Sequence, residues 1–461
     1  MKHIVSVLSM VMLCTLATSA FGQDLAERLD SLEKALNNQA RTIEEQQKTI
    51  NALKEELARQ KTTVETQVAR QTPAEPSAKE EPSEGFGAGI ASKVGGFFGG
   101  SALTNPYISA IVNTYGYSSN LNNEKLSLQG IPGFTTQGLS SQRGFNLDSV
   151  ELMIFAPVDP YFNLYINTPI TDSGINVEEA YAVTTFLPEG FQLKGGRFKS
   201  NFSRLDAQHP HAWDFTDIAL PYRAFLGSEG LGGENGIQLT WLPPLPVYTL
   251  FGAEALQGNN DLLFGNNATS GPHAFTFFVK SSLDLTENST LLFGPYVLFG
   301  QTRNTNIVPE GPVTGSSTLA GMEAVWKWKP SKSQGVTLQS EYLFLSQDGT
   351  IANLETGALD SLRRRQDGFY VQGLYQWDRW RFGARYGVLD LFSDTFEQNG
   401  IQRDTGHQPW QITASAEFNP SEFSRIRLQY NHDRTGPNSS VNNAIFLQFL
   451  FGIGAHAAHT F

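Results

Sequence analysis

The stretch Asn443-Ala-Ile-Phe-Leu-Gln-Phe-Leu-Phe-Gly-Ile-Gly-Ala-His-Ala-Ala-His-Thr-Phe461 decides how the rest of the chain is read. Its odd positions are apolar almost throughout (Ile445, Leu447, Phe449, Phe451, Ile453, Ala455, Ala457, Phe461), and its even positions include Gln448, Gly452, Gly454 and His456. A strand that is apolar on one face and small or polar on the other suits a wall between lipid and a wet lumen. In lipid such a strand needs a hydrogen-bonding neighbour on each side, so the sheet must close on itself. The competing assignment, the last strand of a soluble sandwich, leaves the features of the rest of the chain unexplained.

The chain has 461 residues, a formal net charge of -12, 11% aromatic residues and only 17% charged ones. An acidic chain without a basic tail argues against nucleic acid as a partner. Beyond the N-terminus no run reaches the roughly 20 apolar residues of a membrane helix, which leaves a β-barrel as the way to cross a membrane. Residues 1–22 have the form of a secretory signal: Lys2 and His3, an apolar core from Ile4 to Leu16, and Ala20-Phe21-Gly22 as a cleavage site. The single cysteine, Cys14, lies inside that core, so disulfides and cysteine chemistry are excluded from the mature chain.

Residues 23–70 carry a heptad seam, Leu25, Leu29, Leu32, Leu36, Gln39, Ile43, Gln46, Ile50, Leu53, Leu57, Gln60, Val64, Gln67, in steps of four and three. That spacing predicts an α-helical coiled coil, because a two-position stripe is too narrow to bury on a globular core. Residues 71–105, rich in Pro, Glu and Ser and then Gly, predict a linker without a core.

From 106 to 461 the pattern becomes segments of about ten residues, apolar at alternate positions. Strands are expected near 106–117, 143–156, 161–169, 175–187, 191–200, 235–243, 246–257, 273–284, 289–302, 318–329, 336–346, 368–378, 380–390, 409–418, 424–433 and 441–461. About sixteen antiparallel strands form an all-β transmembrane barrel, the even number that single-chain barrels need. Short connections such as Asp378-Arg379 alternate with long ones such as 118–142, 201–234, 348–367 and 391–408, as periplasmic turns alternate with outer loops. Trp326, Trp328, Trp377, Trp380 and Trp410 lie near strand ends, where an aromatic girdle sits.

Signal, coiled coil, linker and sixteen-strand barrel together resemble outer-membrane porins with an N-terminal periplasmic coiled coil, including dicarboxylate- and phosphate-selective types. The stretches Gly196-Arg197-Phe198-Lys199, His209-Pro210-His211-Ala212-Trp213-Asp214-Phe215 and Gly454-Ala455-His456-Ala457-Ala458-His459 are similar to barrels called zinc-regulated outer-membrane receptors. The C-terminal Phe461 resembles the terminal aromatic that barrel-assembly machinery reads. The resemblance implies a bacterial outer-membrane location, a homotrimer, and passive diffusion of small hydrophilic solutes. Energy-coupled receptors carry a plug domain, whereas 23–105 holds a coiled coil and linker. In porins the third outer loop narrows the lumen, and loop 201–233 is third in this count.

Alternation directs Arg381, Arg385, Arg425 and Arg427 inward, since Phe382, Ala384, Tyr386, Ile426, Leu428 and Tyr430 fill the lipid-facing positions. Lys194, Arg197, Lys199, Glu323, Glu341 and Glu417 on strands, with Asp206 and Asp214 on the loop, complete the expected pore lining. A basic strip facing an acidic loop would form an anion-attracting eyelet. His209 and His211, flanked by Asp206 and Asp214, have the atoms for zinc, and a zinc-binding protein of metal uptake is the second functional reading. An enzyme is not expected, since no Ser-centred elbow, His-Glu-x-x-His run or cysteine nucleophile occurs.

Replacing Ile43 and Ile50 with Asp should weaken the oligomer, because an unpaired carboxylate buried in the seam costs several kcal/mol. Chemical crosslinking is the readout; an unchanged oligomer would place the assembly contacts elsewhere.

Overall fold

The computed structural model describes residues 106–265, 271–305, 307, 311–355 and 357–454. The signal, coiled-coil and linker segments lie outside the described residues, as do His456, His459 and Phe461.

The wall strands are β1 (Tyr107–Ser119), β2 (Gly144–Pro157), β3 (Phe162–Thr171), β4 (Glu179–Thr184), β5 (Phe191–Lys199), β6 (Gly233–Trp241), β7 (Tyr248–Leu256) and β8 (Ala274–Thr286). They continue with β9 (Ser289–Thr305), β10 (Val313–Trp328), β11 (Gln334–Ala352), β12 (Leu359–Trp377), β13 (Trp380–Gln398), β14 (Trp410–Ser421), β15 (Ser424–Arg434) and β16 (Asn442–Gly454). Each strand pairs antiparallel with its neighbours in sequence, and β1 pairs with β16 from Ser109↔Gly454 to Ser119↔Ala444. The sheet is therefore a closed sixteen-strand antiparallel barrel. Two-residue strands at Gly174–Ile175 and Ile401–Gln402 extend β3 and β13 within their connections.

The alternation that marked the final strand is visible in its burial. Ile445, Leu447, Phe451 and Ile453 are exposed on the outside of the ring, while Ala444, Phe446 and Gln448 are buried within it. β15 repeats the pattern, with Ile426, Leu428 and Tyr430 outside and Arg427, Gln429 and Asn431 inside. Seven short turns lie at the end that holds Tyr107 and Gly454, and eight connections, most of them longer, lie at the opposite end. Trp241, Trp328, Trp377 and Trp380 are exposed at the short-turn end, where amphipathic rings suit a membrane boundary.

Three boundaries differ from the sequence reading. The expected connections 348–367 and 391–408 are largely strand, because β11, β12 and β13 continue as paired ribbons to Ala352, from Leu359 and to Gln398. Beyond the lipid, side chains no longer need to alternate, so the sequence pattern stops where the backbone pairing does not. The expected strand 175–187 divides into the small Gly174–Ile175 strand and β4, with residues 176–178 between them.

The 200–232 connection, here the lumen loop, folds back inside the ring. It contains a 3-10 turn at Pro210–Ala212 and helix α2 (Leu220–Phe225), while α1 (Asn123–Ser127) lies in the first long connection. Phe202, Leu205, Trp213, Ile218, Leu220, Tyr222, Phe225 and Leu226 of the loop form one apolar cluster with wall residues such as Phe278, Tyr296, Leu319, Leu343, Tyr370 and Leu389. Fully burying a side chain of this size contributes roughly 1.5–3 kcal/mol, so eight hold the loop firmly.

Glycines in the wall make room for it. A Cβ at Gly387 would stand 2.9 Å from Leu220 Cβ, one at Gly368 3.0 Å from Pro221 Cβ, and one at Gly383 3.1 Å from Phe215 Cζ. Gly387→Leu should therefore lift α2 off β13 and cost about 1–3 kcal/mol from overpacking. Limited proteolysis of the reconstituted barrel should show new cleavage within 206–229; a loop as protected as in the wild type would refute this seating.

Candidate functional site in the lumen

Three wall carboxylates, Glu254, Glu323 and Glu341, fix the lumen loop. At its start, Glu254 on β7 accepts from the Asn201 amide at 3.0 Å, from Gln238 at 2.6 Å, from Thr276 at 2.7 Å and from the Ser200 hydroxyl. Glu323 on β10 accepts from the Arg204 amide at 2.7 Å and lies 3.4 Å from Lys280. Glu341 on β11 accepts the phenol hydroxyls of Tyr222, Tyr296 and Tyr370 at 2.7, 2.5 and 2.9 Å. Glu323 and Glu341 are each 1% exposed. They were expected to line the pore; instead they are sealed beneath the loop, which an alternation pattern cannot reveal.

The four arginines share one region, since Arg381 pairs in register with Glu417 and Glu417 with Arg427. Glu417 on β14 takes Arg381 at 3.1 Å, Arg427 at 2.7 Å and Arg425 at 3.4 Å. From the loop, Asp214 binds Arg381 at 2.6 Å and Asp217 binds Arg385 at 2.7 Å. Asp217 also receives Gln429 at 2.7 Å and Asn431 at 2.9 Å. Arg425 and Arg427 donate to the carbonyls of His211 and Trp213. The Arg385 guanidinium stacks 4.7 Å over the Phe215 ring. The expected open anion-attracting strip is thus a docking surface: each of its cations meets a carboxylate within 3.4 Å. Glu417, expected to oppose the strip, stands among the arginines, and Glu341 belongs to the tyrosine cluster instead.

The remaining expected residues divide similarly. Lys194 is buried 5.0 Å over the rings of Tyr181 and Phe198, and Lys199 is buried 3.4 Å from Glu178. Asp206, 1% exposed, accepts from the Leu231 amide at 2.6 Å and closes the loop onto itself. Arg197 donates to the Val177 carbonyl and borders a cavity of about 460 Å³. That cavity opens between the loop and strands β1–β3, β15 and β16. Its walls carry Asp148, Glu151, Glu178, Asp217, Glu229, Glu234 and Asp433 against Arg197 and Arg223.

His209 and His211 lie buried against the wall rather than exposed beside Asp206 and Asp214, because the Pro210 turn points both rings toward β2 and β4. His209 Nδ1 is 2.9 Å from Glu178, and its Nε2 is 2.9 Å from Glu179. His211 Nδ1 is 2.9 Å from Glu151, and the two rings stack at 5.6 Å. Burial opposes a charged His209 ring, but the hydrogen bonds and charges of Glu178 and Glu179 outweigh it and raise it to about 10. Among the described residues, Glu151, Glu178 and His209 bring ligand atoms within 4.8 Å of one another. The sequence reading missed these glutamates. The one signal for Glu151 was a carboxylate at an inward position beside lipid-facing Leu152.

A closed ring of sixteen strands with a long connection folded inside it defines a porin-type barrel. No protein-family model matches the chain. It is 40% identical over 342 residues to an uncharacterized protein of Aquifex aeolicus (strain VF5), spanning 70% of this chain and 71% of that one, and it belongs to the same family. Among solved structures it is similar to the outer membrane channel DcaP of Acinetobacter baumannii, with a TM-score of 0.50, 13% identity, and 77% of this chain and 99% of that chain covered. In-vitro folded OmpT of Vibrio cholerae aligns with a TM-score of 0.47 and 10% identity over 77% of this chain and 99% of that chain.

Asp206 offers a pH test of the loop. Burial raises its carboxyl from 3.8 to about 7, against the opposing pull of Lys199 and the Leu231 amide. The folded protein therefore holds this proton more tightly than the unfolded chain. The associated stability is complete below about 4 and is lost as pH rises through about 7. Asp206→Asn keeps an acceptor for Leu231 and removes the titration. Its denaturation midpoint should fall less between pH 5 and pH 8 than that of the wild type; equal falls would contradict a buried, titrating Asp206.

Proposed function

We propose that the protein is a channel for passive diffusion of small hydrophilic solutes across a bacterial outer membrane, rather than an enzyme, with its loop as the constriction. The observation that carries this reading is the lumen loop itself. It is fixed to wall residues from β7 to β16, yet it leaves an acidic cavity along one side. The dicarboxylate or phosphate preference of some porins finds no support in that cavity, where acids outnumber arginines. With the arginines occupied, the acidic vestibule attracts cations, whose local concentration rises near fixed negative charge. The long connections would face outward and the coiled coil of 23–70 would hang in the periplasm, tying a homotrimer in outer-membrane lipid. Zinc capture at an exposed mouth loses its support, because His209 and His211 lie inside the lumen.

Planar-bilayer recordings in a salt gradient test this reading. The wild type should conduct with a cation-favouring reversal potential. Asp148→Asn with Glu229→Gln removes two charges lying within a Debye length of the same space and should reduce the cation preference, roughly twofold at low salt. A barrel that inserts without conducting would overturn the channel, and an unchanged reversal potential would overturn the role of the vestibule.

A further inference from the structure

Three potential ligand atoms surround the side-chain amide of Asn167 on β3. Its Nδ2 is 2.9 Å from His209 Nδ1, 3.1 Å from Glu151 Oε2 and 3.3 Å from Glu178 Oε2. The same atoms stand close to each other, with His209 Nδ1 2.9 Å from Glu178 Oε2 and 3.7 Å from Glu151 Oε2. Ligands at the 2.0–2.2 Å bond lengths of a tetrahedral zinc site are separated by about 3.3–3.6 Å, and these spacings lie within about 0.4 Å of the edges of one coordination sphere. Asn167 is 2% exposed, and its Oδ1 has no hydrogen-bond partner.

The Asn167 amide is turned with a donor toward the ring nitrogen that faces Glu178. His209 Nδ1 faces an acceptor, Glu178, and a donor, the Asn167 amide nitrogen, both at 2.9 Å. One ring nitrogen cannot donate to the first and accept from the second. A cation between them removes the conflict. Nδ1 then gives its lone pair to the ion, and a half-turn of the amide presents the orphaned Oδ1 as a fourth ligand.

Each ligand is also held from behind. His209 Nε2 meets Glu179 at 2.9 Å, the carboxylate partner that orients a metal-binding imidazole. The other oxygen of Glu151 meets His211 at 2.9 Å, and that of Glu178 meets Lys199 at 3.4 Å. Two carboxylates balance the charge of a divalent ion, and a mixed imidazole–oxygen set suits first-row transition metals. Both glutamates border the vestibule, which gives an ion a route to the site.

We propose that Glu151, Glu178, His209 and Asn167 form a binding site for a divalent transition-metal ion, which pins the lumen loop to β2 and β3. The site stands apart from the channel reading, since its occupancy is read without conductance. The test uses the full-length protein in detergent, purified without a histidine tag, stripped with chelator and titrated with zinc chloride by calorimetry. Cobalt(II) absorbance in the visible region reports the ligand field. One equivalent per chain should bind the wild type. His209→Gln with Glu178→Gln should lose it, Glu179→Gln should weaken it 10–100-fold, and Asn167→Asp, which supplies a charged oxygen in the same shape, should tighten it. Heat-modifiable gel mobility confirms that each barrel is folded. Absence of saturable binding, or undiminished binding in the double variant, overturns the site, as does an Asn167→Asp protein that binds no more tightly. A variant lacking His456 and His459 should bind like the wild type; loss of binding there would move the site to the chain end.

Discussion

The pairing of β1 with β16 is the constraint on which everything else depends. A peptide group left unpaired in hydrocarbon costs several kcal/mol, and an open sheet would leave a whole row of them along each edge. Eleven register pairs from Ser109 to Ser119 remove both edges at once. Closure also creates an interior, and a ring of sixteen strands encloses more space than side chains reaching from the wall fill. Something else must occupy that space, and here it is residues 200–232.

The loop divides the lumen into unlike halves. Toward β8–β13 it meets Phe278, Tyr296, Leu319, Leu343 and Tyr370, and the contact is dry. Toward β13–β16 it meets Arg385, Arg427, Gln429 and Gln448, and the contact is a lattice of ion pairs and hydrogen bonds. Water-accessible space remains beside β1–β3, where the wall presents Asp148, Glu151 and Thr171. Strong ion pairs therefore hold the loop, while carboxylates such as Glu229 face the remaining space.

Much of the fold was legible because lipid enforces a period of two. Many of the strands carry that signature, and Ile445-Phe446-Leu447-Gln448 shows it in miniature. The pattern faded in the upper parts of β11–β13, where lipid no longer demands an apolar outer face and Arg363-Arg364-Arg365 reads like a loop. Inward direction was also legible for the four arginines. Their partners were less so, because alternation says which way a side chain points but not what lies over it. Glu323 and Glu341 have the pattern of pore-lining acids and the burial of core residues. The grouping of His209 with Glu151 and Glu178 was hidden for a different reason. It joins residues from three separate parts of the chain, and only the return of the loop onto β2 brings them together.

The anchors of the loop also constrain the order of assembly. Asn201 needs Glu254 on β7, Tyr222 needs Glu341 on β11, and Thr216 reaches Gln448 on the final strand, 232 residues away. No sheet that lacks β16 presents these partners together. Until the loop docks, the buried carboxylates and arginines of the wall lack their counterparts, and the apolar surface around Leu343 and Tyr370 lies open to water. The full set of loop contacts therefore needs the last strand in its native register, and a barrel closed in the wrong register would break them.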